Sequence, residues 1–251
     1  MSAPALSVVI PAYNEALRLP ATLARVREHL DTRGVAHEIL VVDDGSSDAT
    51  AEIARAAGDA VRVLRHEPNR GKGYAVRRGM LAAKGERRLM TDADLSTPIE
   101  ELARLEAEVD RGFEVAIGSR AVAGARIEVH QPAYREAMGR LFNVLVQALL
   151  LPGLSDTQCG FKLFTAAAAE TAFGACRLDG FCFDVEALYV ARRHGLRVAE
   201  VPVVWRNDAA TRVGLGRGGA AFADLLRIRV LALRGAYGPR DSGAEGGGGG
   251  T

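Results

Sequence analysis

SVVIPAYNEALRLPATLARVREHLDTRGVAHEILVVDDGSSDAT, residues 7–50, is the stretch that decides the fold. Ser7 to Ile10 and Glu38 to Val42 are short apolar runs closed by turn or charged residues, the pattern of strands buried on both faces. Between them Leu19, Leu23, Val26 and Leu30 recur on one face of a helix. A strand, a helix and a second strand in so short a stretch form a crossover unit, and such units build parallel sheets.

The rhythm continues outward. Val61–Leu64, Leu89–Thr91 and Val115–Ile117 read as further buried strands. A second helix is expected after Ser46 or Ser47, with Asp48 near its cap and Ile53 inward. A third follows Gly73, and a fourth follows Ser96-Thr97-Pro98 with Glu100 and Glu101 in its first turn. The expected class is α/β: a mostly parallel sheet with helices on both faces, in a single domain spanning 1–237. Beyond Arg120 the rhythm changes to a helix over Ala137–Leu151, a segment Gln158–Phe164, a helix near Ala166–Phe173, a segment Phe181–Glu186 and a strand Val198–Trp205. The tail, 238–251, ends in GAEGGGGGT and reads as disordered.

Charge excludes little, because 32 basic and 31 acidic residues leave a net of +1. That balance argues against a nucleic-acid partner. Locally, Arg206 to Arg240 holds seven arginines against Asp208 and Asp224, a bias towards a phosphate or an anionic membrane surface. Cys159, Cys176 and Cys182 form no CxxC pair, which suits a reduced, cytoplasmic chain without a zinc framework. No run reaches the ~20 apolar residues of a membrane span. Any membrane contact is expected to be peripheral, through Phe222–Leu233, while the helix over Ala137–Leu151 is expected to pack in the core.

Asp92-Ala93-Asp94 closes the strand Leu89–Thr91, so two carboxylates at i and i+2 stand at a strand end, where open α/β sheets place ligands. Mg²⁺ or Mn²⁺ suits such oxygen ligands and takes the rest of its shell from phosphates and water. Asp43-Asp44-Gly45 follows the second strand, where a carboxylate can accept from a base N–H or cap a turn. Pro11-Ala12-Tyr13-Asn14-Glu15 ends the first strand and offers an aromatic ring for stacking. Arg70-Gly71-Lys72-Gly73 sets a lysine at a helix N-terminus, which suits a diphosphate. Walker spacing is absent, and no GxGxxG follows the first strand, which counts against a dinucleotide-binding dehydrogenase.

Seven motifs in order, VVIPAYNE (8–15), VVDDGSSDAT (41–50), NRGKGYAVRRGM (69–80), TDADLSTP (91–98), GSR (118–120), DTQCGFKLF (156–164) and FDVEALYVA (183–191), resemble family 2 glycosyltransferases of GT-A (Rossmann-like) fold. With EVPVVW they look most like the dolichyl-phosphate β-glucosyltransferases, which take glucose from UDP-glucose; the GDP-mannose-dependent mannosyltransferases stand second. Those mannosyltransferases commonly carry Gln where this chain has Ser96, which favours the glucosyl type. The resemblance implies a nucleotide-sugar donor and a polyprenyl-phosphate acceptor. It implies a nucleotide pocket lined by Pro11, Tyr13, Glu15 and Asp44 beside Asp43, with Lys72 near the diphosphate and Asp92 and Asp94 on donor and metal. Arg120 and Lys162 would face phosphates, and Asp156, Gln158, Asp184 and Glu186 would lie on the sugar and acceptor side.

The acceptor decides whether a base is needed. A phosphate monoester is largely dianionic near neutrality and needs positioning, for which Arg120, Arg126, Arg135 and Arg140 are candidates. A sugar hydroxyl on a soluble acceptor requires a carboxylate base, and Asp184, Glu186 or Asp156 is then the candidate.

Overall fold

The computed structural model describes residues 3–207 and 217–238, and its opening stretch folds as β1 (Leu6–Ala12), α1 (Leu19–Thr32) and β2 (His37–Asp43). β1 and β2 pair in parallel from Leu6–His37 to Ala12–Asp43, and every residue of β1 is buried. α2 (Thr50–Ala56), β3 (Val61–Arg65), α3 (Lys72–Ala82), β4 (Arg87–Thr91), a 3₁₀ turn at Ile99–Glu101, α4 (Leu102–Asp110) and β5 (Val115–Ser119) continue the alternation. Then come β6 (Arg126–Val129), α5 (Ala133–Leu149), β7 (Phe161–Thr165), α6 (Ala166–Ala175), α7 (Phe183–Arg193), β8 (Val198–Pro202), β9 (Val204–Arg206) and α8 (Arg217–Leu233).

Seven strands form the main sheet in the order β3-β2-β1-β4-β7-β5-β8, and β6 pairs with β9 apart from it. The chain steps outward from β1 to β3 and returns to lay β4 against β1, so the strand order reverses between β1 and β4. β1 pairs with β4 only as far as Val9–Met90. Pro11 has no N–H to carry that ladder on, so the two strand ends part there. β7 is the one departure from parallel order in this sheet, antiparallel to both β4 and β5. Its reversal brings the loop before it, residues 156–160, to the same edge as the carboxyl ends of β1, β2, β4 and β5.

Alternate residues of each strand feed two cores. Val9, Val42 and Met90 face α3, α6 and α7, while Val8, Ile10, Val41 and Leu89 face α1, α2 and α4. Each fully buried Val, Leu or Ile contributes about 2 kcal/mol. Three elements differ from the sequence expectation. The strand expected over Val198–Trp205 is broken at Val203, whose N–H and C=O bond Ser119 and Arg126 across two sheets. The segment Phe181–Glu186 opens α7, with both acids in or next to its first turn. α5 packs in the core as expected along one face only: Phe142 and Val146 join the core, but Leu141 and Val144 are exposed. The Gly-rich tail beyond Gly238 lies outside the described residues.

Candidate active site

The crevice at the switch point is edged by the loops after β1, β2, β4 and β5 and the loop before β7. Asp92 follows β4 directly. Its Oδ1 lies 2.6 Å from Lys72 Nζ at the N-terminus of α3, an ion pair. Burial opposes the charge of Lys72, but Asp92 and Asp184 outweigh it and hold the ammonium above its ordinary value. Asp94 is pushed up, by burial first and by the neighbouring charge of Asp92 second. Its Oδ1 accepts from Ser96 N–H at 2.9 Å, and Leu95 between them has φ 45°, a strained angle for a leucine. A cleft of about 360 Å³ opens beside this turn, lined by Arg25, Asp94, Ser96, Pro98 and Arg206. A second cavity, about 290 Å³ and mostly apolar, lies between α1 and α2 away from the acids.

Two glycines make this corner possible. A Cβ on Gly160 would meet Asp92 Oδ2 at 2.1 Å, and one on Gly73 would meet the carbonyls of Gly180 and Leu178 at 2.7 and 2.8 Å. The first seats the Asp92 carboxylate on bare backbone; the second lets the N-terminus of α3 abut the 178–180 loop. Gly73 is one of the two glycines whose place around Lys72 the sequence already marks, whereas nothing in the sequence alone points to Gly160.

The loops after β1 and β2 are stitched together. Asn14 N–H donates to Ser46 Oγ, Glu15 N–H to Thr50 Oγ1, and Ser47 N–H to Asn14 Oδ1, all at 2.8–2.9 Å. Glu15 takes a bidentate pair from Arg18, both contacts at 2.6 Å. Asp44 is buried and accepts from the N–H groups of Arg70 and Gly71, from Asn69 Nδ2, and bonds His66 Nε2, all at 2.7–2.9 Å. Asp43 is equally sealed, with Oδ1 on Ser46 N–H and Oδ2 3.4 Å from Arg65. Both acids therefore shape the pocket wall instead of offering an open oxygen to a base. Pro11 is buried in β1, whereas Tyr13 projects half-exposed from its end and keeps its ring for stacking. His66, Asn69 and Asp179, which binds Arg77 at 2.7 Å and Arg70 at 3.3 Å, were missed in the sequence because their partners lie in other motifs.

Three carboxylates from the second half have fixed partners. Asp156 Oδ2 accepts from Arg120 N–H and Nε at 3.0 and 2.6 Å, and Oδ1 from Arg120 Nη2 at 2.8 Å. Burial pushes its carboxyl up, but Arg120 outweighs that and leaves it below its ordinary value. The guanidinium, raised in turn by Asp156, lies 5.2 Å from the Trp205 ring and retains N–H groups outside the fork. Lys162 is 2% exposed, donates to Cys159 O, and pairs with Asp184 Oδ1 at 2.6 Å, so it does not face an open phosphate position as the resemblance implied. Burial raises the Asp184 carboxyl, which lies between Lys162 and Lys72 in charge. Glu186 does not reach the crevice. It is 0% exposed and accepts from the N–H groups of Arg177 and Leu178 and from the Tyr237 hydroxyl, at 2.9, 2.8 and 2.6 Å. Its position at the third residue past the α7 start turns it inward, so its role is to pin the 177–178 loop. Of the arginines considered for phosphate, Arg126 stands on β6, while Arg135 and Arg140 stand on α5, where Arg140 lies 3.9 Å from Glu136.

The acid pair fits a hard divalent cation. The two carboxylates stand at i and i+2 beside the crevice, and after burial it is the like charge of Asp92 that pushes Asp94 up; a shared cation relieves that repulsion. Among the described residues no group of three or more His, Cys, Asp or Glu is placed to hold an ion. The protein thus offers two carboxylates, and diphosphate oxygens and water would complete the shell.

Glycosyl transferase family 2 matches residues 7–173. Human dolichyl-phosphate β-glucosyltransferase is 36% identical over 249 residues, covering 92% of this chain and 77% of the relative. The Drosophila melanogaster enzyme of the same name is 38% identical over 255 residues, covering 92% and 76%. Glucosyl-3-phosphoglycerate synthase from Mycobacterium tuberculosis, solved with Mn²⁺, UDP and glucosyl-3-phosphoglycerate, superposes with a TM-score of 0.69, covering 96% of this chain and 82% of that one at 21% identity. That likeness is one of fold.

Proposed function

Because this chain belongs to glycosyl transferase family 2, alongside the dolichyl-phosphate β-glucosyltransferases, we propose that it transfers glucose from UDP-glucose to a polyprenyl phosphate. The observation that carries the acceptor class is the state of the carboxylates. A hydroxyl acceptor needs a base, yet both oxygens of Asp156 are taken up by the Arg120 fork, which also weakens it as a base, and Glu186 is sealed beneath Tyr237. Asp184 is the counter-ion of Lys162. A phosphate monoester brings its own charge and needs only orientation.

The reaction is an in-line displacement. An acceptor phosphate oxygen attacks the anomeric carbon, the bond from that carbon to the diphosphate oxygen breaks, and UDP leaves with the electron pair, giving a β-linked product from an α-linked donor. Tyr13 stacks on the base, and the sealed Asp43 and Asp44 keep the wall behind it in shape. Lys72 at the α3 N-terminus faces the diphosphate, and the outer N–H groups of Arg120 orient the acceptor phosphate. Asp92 and Asp94 would hold Mg²⁺ or Mn²⁺, which when bound offsets the charge growing on the diphosphate. The site works on the cytoplasmic side of a membrane in this reading, where nucleotide sugars are supplied.

Offering the enzyme labelled UDP-glucose with dolichyl phosphate, free dolichol and simple glucosides tests it. The expected product is β-glucosyl lipid phosphate alone. Preferential transfer to dolichol or a glucoside overturns the acceptor, and in a parallel assay with labelled GDP-mannose, transfer from that donor alone overturns the donor.

A further inference from the structure

A carboxylate offers about four lone-pair sites, and on Asp44 donors occupy each of them. Oδ1 accepts from Arg70 N–H at 2.8 Å and from His66 Nε2 at 2.7 Å. Oδ2 accepts from Gly71 N–H at 2.8 Å and from Asn69 Nδ2 at 2.9 Å. Every one of these donors belongs to residues 66–71, so that loop wraps the buried carboxylate as it would an ion. The loop also rests on Gly45, where a Cβ would meet Asn69 N at 2.9 Å. His66 is held from behind as well. Arg78 Nη1, on α3, donates to Arg65 O at 2.9 Å and lies 3.1 Å from His66 Nδ1. A guanidinium is a donor only, so Nδ1 presents its lone pair, and the ring proton sits on Nε2, facing Asp44. Both neighbours thus impose the same tautomer.

We infer that His66 is a positioning residue for the donor: fixed in its Nε2–H tautomer, it locks the 66–71 loop on Asp44 and so sets Lys72, the next residue, against the diphosphate. The inference rests on the proposed UDP-glucose donor. The bonds close a ring, from Arg78 of α3 through His66 and Asp44 to the N–H of Gly71, the residue that precedes α3. Lys72, beside Gly71, pairs with Asp92 at 2.6 Å, so a shift of this corner moves the ammonium away from the end of β4. Tyr74 covers the ring of bonds: it meets His66 edge-on at 4.7 Å and carries the Arg70 guanidinium 3.6 Å from its centroid. A neutral imidazole is a donor at one nitrogen and an acceptor at the other, which matches a carboxylate on one side and a guanidinium on the other. The His66 side chain is 10% exposed and both ring nitrogens are committed, so it acts through Asp44 and Lys72, not on the substrate.

Calorimetry of UDP binding with Mg²⁺, together with the donor KM and kcat, compares wild type with His66→Phe and His66→Gln. Phenylalanine keeps a ring against Tyr74 and loses both bonds; glutamine keeps a donor for Asp44 and an acceptor for Arg78. His66→Phe should bind UDP about ten-fold more weakly and raise the donor KM by a similar factor, with a far smaller fall in kcat. His66→Gln should recover most of that affinity. Unchanged UDP affinity in His66→Phe, a loss that glutamine does not reverse, or a fall in kcat larger than the rise in KM would each overturn the inference. If His66→Phe does not fold, the wild type still decides: nitrogen NMR of its imidazole should show the Nε2–H tautomer alone. A ring protonated on Nδ1, or exchanging between the two tautomers, would overturn it. Wild type that binds GDP in preference to UDP overturns the donor reading, and the His66 comparison is then read with GDP. Binding of neither nucleotide overturns both.

Discussion

Gly160 lies so close beneath Asp92 that a Cβ there would meet the Asp92 carboxylate at 2.1 Å. The antiparallel β7 makes the contact, because its reversal brings residue 160 to the end of β4. Gly160→Ala must displace either the carboxylate or the backbone. Misplacing a catalytic group by about 1 Å costs roughly 100-fold in rate. A fall of that order in kcat, with a far smaller change in thermal unfolding, is the expected result.

Asp44→Ala removes one acceptor from two backbone N–H groups, Arg70 and Gly71, and from two side chains. Leaving buried donors without partners should cost about 3 kcal/mol. The 66–71 loop carries the approach to Lys72, so the KM for the donor should rise more than kcat falls. Urea unfolding and initial rates measure the two effects.

Glu186 and Tyr237 separate structure from chemistry. Tyr237→Phe removes the 2.6 Å bond to a buried carboxylate and should cost about 2 kcal/mol in urea unfolding. Its kcat should stay within about two-fold of wild type, since the hydroxyl lies behind the 177–178 loop. A hundred-fold loss of kcat at unchanged stability would return Glu186 to the reaction.

Acid should act through Asp156. Its folded carboxyl lies below the ordinary 3.8, so between those values the unfolded chain binds the proton that the native chain does not. That stabilisation is complete above the ordinary value and is lost as pH falls through the folded one. In Arg120→Ala the carboxylate stays buried without its partner, which costs about 3–5 kcal/mol at neutral pH. Burial, the largest influence on this group, is then opposed only by the weaker pull of Lys162 and the Gln158 N–H and raises the carboxyl, so the deficit against wild type should shrink from about pH 7 to about pH 4. Urea unfolding across that range reads the difference; a constant deficit would contradict the assignment.

The first half of the fold was legible because β1 to β5 are short apolar runs spaced by one-faced helices, a local pattern that tertiary structure did not override. β7 was not legible as antiparallel, because Phe161–Thr165 carries the same apolar run that a parallel strand would. That Asp92, Asp94 and Lys72 stand at one edge of the sheet was readable from strand ends and a glycine-flanked lysine. The fates of Asp44, Asp156 and Glu186 were not, since each is decided by a partner 22 to 51 residues away, His66, Arg120 and Tyr237. The outward face of α5 escaped notice because periodicity shows an apolar arc without showing which way it points.

The most direct test of the account is label transfer from UDP-glucose to a short polyprenyl phosphate in the presence of Mg²⁺, comparing wild type with Asp94→Ala. Wild type should move label into the lipid phase, and the variant should be slower by about a thousand-fold or more while keeping its thermal stability. Transfer by Asp94→Ala within ten-fold of wild type, or no lipid label from wild type, would contradict it.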